Sequence, residues 1–271
     1  MLLLCAACKS ASNPSANATS ASATAPVASA SAEPSVVGST SASADPLAPA
    51  PIATRENVGP YEAVMLPERN VWYALPRAEG EHRLIATLHG QCGSPSYACG
   101  TWIDAGTERG FMVCPTGNEH CTSPIGPPMW DESFQLMERD LERGISVAQS
   151  RVRARDAGAF SRDDEVLVGY SRGGWAAIEI VSYHPGRWPY LILIEADVTI
   201  KKAYLDACKV RAVAMVAGEH GTELPGEQKS VDALKAAGFP AEIFVMPNTA
   251  HLYSANMDDV MRQALAFVLA H

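Results

Sequence analysis

The chain has 271 residues, 47% of them hydrophobic, and 21 Lys and Arg against 30 Asp and Glu give a formal net charge of −9. The basic residues are scattered, so the concentrated positive face that a phosphate backbone demands is missing and nucleic acid is not an expected partner. No apolar run reaches the length of about eighteen residues that a membrane-crossing helix needs.

The opening stretch "MLLLCAAC" is apolar and ends in small residues before Cys8. It resembles the end of a bacterial lipoprotein signal, in which such a cysteine receives the lipid. Cys5 stands where leucine is usual, and a basic n-region is absent. On this reading residues 1–8 are a signal remnant and Cys8 is the lipidation site. Residues 9–57 are nearly all Ser, Ala, Thr, Pro and Asn, too poor in large apolar groups to offset the entropy of ordering. They are expected to be a disordered tether, with the folded domain over 58–271. The protein is then exported, periplasmic or held at the outer membrane, and touches a membrane only through its lipid anchor.

From Tyr61 the strings "YEAVML" and "NVWYAL" alternate in polarity and predict two strands with one face in water. "RLIATLHG", "GFMVCP", "EVLVGY", "YLILIEADV", "RAVAMVAGE" and "AEIFVMP" are continuous apolar runs, the pattern of strands covered on both faces in a parallel sheet. Around the second of these runs lie Cys92 with Cys99, and Cys114 with Cys121, in loops rich in Gly, Pro and Ser. In an oxidising compartment these spacings suit two local disulfides, leaving Cys208 as a buried thiol. Zinc at His120 and Cys121 is the competing idea, but the short C-x-x-C pairs of structural zinc sites are lacking.

Next, "SFQLMERDLERGISVAQSRVRAR" sets Phe134, Met137, Leu141, Ile145, Ala148 and Val152 at helical spacing, with Ser133 as a cap. "GGWAAIEIVSYH" predicts a helix that stops at Pro185. "EQKSVDALKAAG" ends on Gly238, a suitable stop, and "ANMDDVMRQALAFVLAH" is amphipathic. Strands alternating with helices after an antiparallel start predict an α/β class with an open, mainly parallel central sheet flanked by helices. Functional residues of such sheets collect at the carboxyl ends of the strands.

Ser171 stands at one of those ends, in Gly169-Tyr170-Ser171-Arg172-Gly173-Gly174. G-x-S-x-G between a strand and a helix is a nucleophile elbow, with small residues where strand and helix approach. The helix amino end supplies free N–H groups and partial positive charge. A serine hydroxyl needs a base, and His251, in the loop "NTAHLYSA" after the last strand, is the candidate.

These motifs, and their order, resemble the α/β-hydrolase superfamily. The spacing of "LHGQCGSP", "GFMVCPTGN" and "GYSRGG" is similar to that of secreted polyhydroxybutyrate depolymerase and feruloyl esterase-like enzymes. The resemblance implies an α/β-hydrolase fold without a large lid domain, a serine-histidine-acid triad and hydrolysis of a small-molecule or polymeric carboxylic ester. No metal or organic cofactor is implied. The acid is expected after the strand "RAVAMVAGE", but Gly221 occupies its usual place. Glu219 is the first choice, Glu223 the second, and Asp197, after the preceding strand, the third. The resemblance also implies oxyanion donors at the backbone amides of Arg172 and Gln91, the latter within His89-Gly90-Gln91. His89 is expected to shape that loop on the substrate side, where Tyr170 also lies. Trp130, in the long loop from Pro115 to Ser133, either lines an acyl pocket or caps the core. A peptidase or thioesterase on the same groups is the near alternative. A binding protein with a degraded acid position is the alternative of a different class.

Overall fold

The computed structural model describes residues 54–67, 69–123, 125–131, 133–155 and 157–271. The expected signal remnant with Cys8, and the tether as far as residue 53, lie outside the described residues. The described residues begin at Thr54, before the expected boundary at 58. Thr54 bridges to Ala78, and the Arg55 guanidinium donates to the carbonyls of Pro76, Ala78 and Ala157 at 2.8–2.9 Å. One planar fork thus gathers three carbonyls, a role that the Ala- and Pro-rich composition around it hides.

Eight strands form one sheet. In chain order they are β1 (Tyr61–Leu66), β2 (Arg69–Ala74), β3 (His82–Leu88), β4 (Gly110–Pro115), then, past a two-residue ribbon of β5 (Glu119–His120) and β6 (Pro128–Met129), β7 (Phe160–Tyr170), β8 (Tyr190–Ile194), β9 (Ala212–Gly218) and β10 (Ala241–Met246). Their spatial order is β1-β2-β4-β3-β7-β8-β9-β10. The β1–β2 and β2–β4 pairs are antiparallel and every later pair is parallel. The six continuous apolar runs are β3, β4, β7, β8, β9 and β10.

Five of those runs are apolar because both faces of their strands are covered, while β10, at the sheet's edge, is only half-buried. On one side Leu84, Ala86, Leu88, Leu167, Leu191 and Leu193 pack under α3 (Phe134–Ala154), α4 (Arg172–Tyr183), α5 (Lys202–Ala207) and α6 (Leu224–Ala236). On the other, Ile85, Val166, Val168, Ile192 and Ile194 pack under α1 (Pro95–Gly100), α2 (Ile103–Thr107) and α7 (Met257–Val268). Alternate residues of one strand therefore serve opposite cores, as the period of two requires. The expected cap of α3 is present, with Ser133 accepting from the Leu136 amide at 3.3 Å. The helix α6 starts earlier than its amphipathic pattern, at Leu224, with Pro225 in its first turn, where a missing N–H costs nothing.

Two disulfides are present, but not in the sequential pairing expected. Cys92 bonds Cys121 and Cys99 bonds Cys114, one loop nested inside the other, while Cys208 is free and buried. The reason is topological. Cys99 lies on α1, which packs directly over β4 and its Cys114, whereas Cys92 is carried out to the β5–β6 loop. With Cys121 in a disulfide, the zinc reading of His120 and Cys121 also falls. Between β8 and β9 only the short helix α5 intervenes. Among the described residues no helix is long and apolar enough to cross a membrane.

Candidate active site

Ser171 joins the end of β7 to the start of α4 with φ 52° and ψ −115°. A left-handed φ at a residue with a Cβ is uncommon, and here the surroundings enforce it. The Ser171 amide donates to Ile194 O at 2.8 Å, tying the turn to the neighbouring strand end. A side chain at Gly169 would strike Gly173 and Gly174, and one at Gly173 would strike Leu88 O. The opening of α4 can approach β7 this closely only because those positions carry no Cβ.

His251 follows β10, in the loop before α7. Its Nε2 is 3.0 Å from Ser171 Oγ. That loop is anchored by aromatic residues. Tyr170 donates its hydroxyl to His251 O at 2.9 Å, Tyr97 stacks on Tyr253 with ring centres 4.8 Å apart, and the Tyr97 hydroxyl accepts from the Tyr253 amide at 3.0 Å. Residues from β7, α1 and the loop itself thus fix where the imidazole stands.

On the far side of the ring, Nδ1 is 3.2 Å from Glu195 Oε2 and 3.3 Å from Glu223 Oε1. Glu195 is the residue after β8. Its φ of 53° turns the chain so that a fully buried carboxylate points across the strand ends, and its Oε1 accepts from the Gly218 amide. Burial, reinforced by Glu223 and opposed by the Gly218 hydrogen bond, pushes its carboxyl up to about 7. Behind it sits Glu227 of α6, also fully buried, which accepts from the Ala196 and Asp197 amides at 2.7 and 3.3 Å. Burial carries Glu227 up to about 8.

The acid candidates therefore separate. Glu219, expected first, is exposed. Its Oε2 accepts from the Asn248 amide at 2.9 Å, so it closes the loop after β10 instead of facing His251. Asp197 is exposed too, and its carboxylate lies beside Gly226 of α6, because the irregular backbone there buries Glu195 and exposes Asp197. Glu223 does reach His251. Glu195 was missed by the sequence reading, although its position held a signal: it is the first polar residue after five buried apolar ones at a strand's carboxyl end. Glu227, in mid-helix, carried no such signal, and neither did Tyr97 or Tyr253.

The loop after β3 faces the elbow. A Cβ on Gly90 would come 2.7 Å from the Tyr170 ring and 3.2 Å from Ser171 Cβ, so a glycine is needed for this approach. Among the described residues neither the Gln91 nor the Arg172 amide donates to an acceptor. Both remain available to a developing oxyanion. Cys92 has φ 54°, and its disulfide to Cys121 fastens the loop at that strained residue.

His89 and Trp130 are buried and do not line the cleft above Ser171. Each is 1% exposed, and they stack on each other with centres 4.8 Å apart. His89 Nδ1 donates to Gly90 O at 2.8 Å, Nε2 accepts from the Gly117 amide at 2.8 Å, and burial lowers its pKa to about 4. Trp130 donates to His89 O at 2.9 Å. Their polar atoms all serve the backbone of the oxyanion loop, so they brace it from beneath. The cleft above Ser171, about 390 Å³, is lined by Gln91, Tyr97, Pro127, Tyr170, His251 and Leu252, among others. Of the three expected substrate contacts, only Tyr170 borders it.

Glu195, Glu223 and His251 each also offer a donor atom within 4.8 Å of the other two, a set able to hold a metal ion.

No protein-family model and no curated protein matches the chain. Solved structures do. The Thermus thermophilus protein TT1662 aligns over 78% of this chain and 98% of its own, at 18% identity and TM-score 0.51. A ferulic acid esterase aligns over 74% and 91%, at 17% identity and TM-score 0.51. The S-formylglutathione hydrolase of Staphylococcus aureus aligns over 74% and 92%, at 12% identity and TM-score 0.50. At these identities the likeness is one of fold, and the fold is that of the α/β-hydrolases.

Proposed function

We propose that the protein is a serine hydrolase that cleaves a carboxylic ester through an acyl-enzyme on Ser171. The observation that carries this reading is the 3.0 Å contact between Ser171 Oγ and His251 Nε2, at an elbow whose positive φ holds the hydroxyl clear of the helix. His251 takes the serine proton as Oγ attacks the carbonyl carbon. The Gln91 and Arg172 amides receive the oxyanion. Collapse of the tetrahedral intermediate expels the alcohol, which takes the proton from His251. Water, deprotonated by the same imidazole, then attacks the acyl-enzyme and frees Ser171.

Glu195 is the acid in this scheme. It keeps the Nδ1–H tautomer and stabilises the imidazolium, with Glu223 beside it as a second carboxylate. The binding-protein alternative drew its support from a degraded acid position, and a glutamate at the end of β8 removes that support.

The substrate is an uncharged ester. Among the described residues the cleft is lined by no Lys or Arg, and Leu252, 61% exposed, gives it an apolar wall next to the base. The esterase among the structural neighbours fits this class. We also infer export, since two disulfides suit an oxidising compartment.

A fluorophosphonate probe tests the proposal. Labelling at Ser171, lost in Ser171→Ala and in His251→Ala, is the expected result. A folded wild-type protein that stays unlabelled would sink the enzymatic reading.

A further inference from the structure

We propose that Glu195, Glu223 and His251 form a binding site for a borderline divalent cation, Zn²⁺ in particular, and that filling it switches the base off. The switching half of this proposal rests on the reading of Ser171 and His251 given above; the binding half does not.

The first argument is an excess of carboxylate. Two glutamates converge on one imidazole nitrogen, and that nitrogen carries at most one proton. Glu195 Oε2 and Glu223 Oε2 are both buried without a hydrogen-bond donor, and the side chain of Glu195 is fully enclosed. Gly221 leaves room beside them, since its added Cβ would be 3.2 Å from the Glu195 oxygen and 3.3 Å from the Glu223 oxygen. Buried carboxylate oxygens without donors are costly. A cation relieves that cost.

Geometry admits a cation. Glu195 Oε2 approaches Nδ1 to 3.2 Å without forming an aligned hydrogen bond, so the Nδ1–H of the hydrolytic scheme is held by the charge of the two carboxylates. A tetrahedral zinc with ligands at about 2.0–2.1 Å has ligand-to-ligand edges of about 3.3–3.4 Å. Two of the three edges, those from Nδ1, are 3.2 and 3.3 Å, and the third, between the carboxylates, lies within 4.8 Å, so the glutamates need at most a small closure to complete the face. One imidazole and two carboxylates belong to the usual zinc donor set, and a water can take the fourth position. Entry is open, because the His251 side chain is 45% exposed and Glu223 reaches the surface.

The consequence follows from the tautomer. Without metal, Nδ1 carries the proton and Nε2 offers its lone pair to Ser171. A cation on Nδ1 needs that nitrogen's lone pair, so the ring must carry its proton on Nε2. The ring's single proton moves from Nδ1 to Nε2 by exchange with solvent, so the imidazole stays neutral and releases no net proton. Nε2–H then donates to Ser171 Oγ and cannot accept from it. The ring keeps its position and loses its function.

The test uses the full chain stripped of metal, with Zn²⁺ titrated against a chromophoric chelator. We expect one Zn²⁺ per chain, retained in Ser171→Ala, which removes no ligand. Binding is lost in His251→Ala. In Glu223→Gln it weakens about tenfold or more, since even an outer-shell partner is worth that much. In the active protein, fluorophosphonate labelling falls in step with occupancy and returns on adding EDTA. Mg²⁺, which prefers an octahedral oxygen shell, has no effect. Absent binding, or binding unchanged by His251→Ala, overturns the site. Full occupancy with undiminished labelling overturns the switch. Labelling that is absent before any zinc is added indicts the hydrolase reading instead, so the failures are distinguishable.

Discussion

Glu195 and His251 meet across the ends of different strands, Oε2 to Nδ1 at 3.2 Å, one leaving β8 and the other following β10. The strand between them, β9, ends in Gly218, whose amide holds the other oxygen of Glu195. Three successive parallel strands thus cooperate in setting one carboxylate against one imidazole. In the proposed scheme the acid keeps the serine-acid-histidine order but leaves β8, one strand earlier than the expected β9.

Replacing that carboxylate by an amide should leave the fold intact and damage turnover. Glu195→Gln presents an NH₂ or a carbonyl to Nδ1 and no longer selects the Nδ1–H tautomer. A loss of about 10²- to 10⁴-fold in kcat/KM is expected on a chromogenic ester. Glu219→Gln should stay within about twofold of wild type, because its carboxylate only caps a loop amide. A larger loss in Glu223→Gln than in Glu195→Gln would transfer the role to Glu223.

Stability should fall with rising pH around this cluster. Glu195 and Glu227 titrate at about 7 and about 8 when folded, against an ordinary 4.5. Between those limits the native state binds more protons than the unfolded chain, so the unfolding free energy decreases with pH. The stabilisation is complete below about 4.5 and disappears as pH passes through 7 to 8. Glu227→Gln keeps an acceptor for the Ala196 and Asp197 amides without a titrating group. Its melting temperature should therefore decline less than that of wild type between pH 6 and 9. Parallel declines would show that Glu227 is ionised throughout.

The elements that were legible in the sequence are those with a strong period. Five of the six apolar runs became parallel strands because burial on both faces leaves no polar phase, β10 being a half-buried edge strand, and Ser133 capped α3 where the spacing placed it. Ser171 and His251 were legible for a different reason. A nucleophile elbow needs its small residues at fixed offsets, and the histidine loop follows the last strand. The carboxylate beside His251 resisted reading because its placement depends on a left-handed turn at Glu195, which no neighbouring glycine announces. Glu195 and Asp197, two residues apart, both have positive φ, and the irregular backbone there buries one and exposes the other. His89 shapes the loop after β3 as expected, whereas Trp130 had two readings, since a polar aromatic residue near a site looks alike whether it lines the cleft or braces the backbone beneath it.

The oxyanion loop makes a prediction that needs no knowledge of the substrate. Gly90→Ala introduces a methyl group 2.7 Å from the Tyr170 ring, which is too close for either side to stay in place. The loop must retreat, taking the Gln91 amide from its position over Ser171. Loss of one oxyanion donor costs about 10²–10³ in turnover, and a comparable drop is expected, with KM little changed. Far-ultraviolet circular dichroism should remain as in wild type. Unaltered turnover would mean that Gln91 is not a donor.

The nested disulfides can be checked by peptide mapping, and their consequence by reduction. Non-reducing digestion should release one fragment joining Cys92 to Cys121 and another joining Cys99 to Cys114. Fragments joining Cys92 to Cys99 would refute the nested arrangement. Sequence separations of 29 and 15 residues correspond, in the chain-entropy account, to about 3–4 kcal/mol each. The two bonds should differ in what their loss does. Cys99–Cys114 ties α1 to β4 inside the core, so its removal by Cys99→Ala with Cys114→Ala should lower the melting temperature most. Cys92–Cys121 holds the strained residue beside Gln91, so Cys92→Ala with Cys121→Ala should slow fluorophosphonate labelling more than its effect on melting would account for. Should both pairs lower melting and labelling in the same proportion, the outer bond would be a staple of the fold with no special hold on the oxyanion loop.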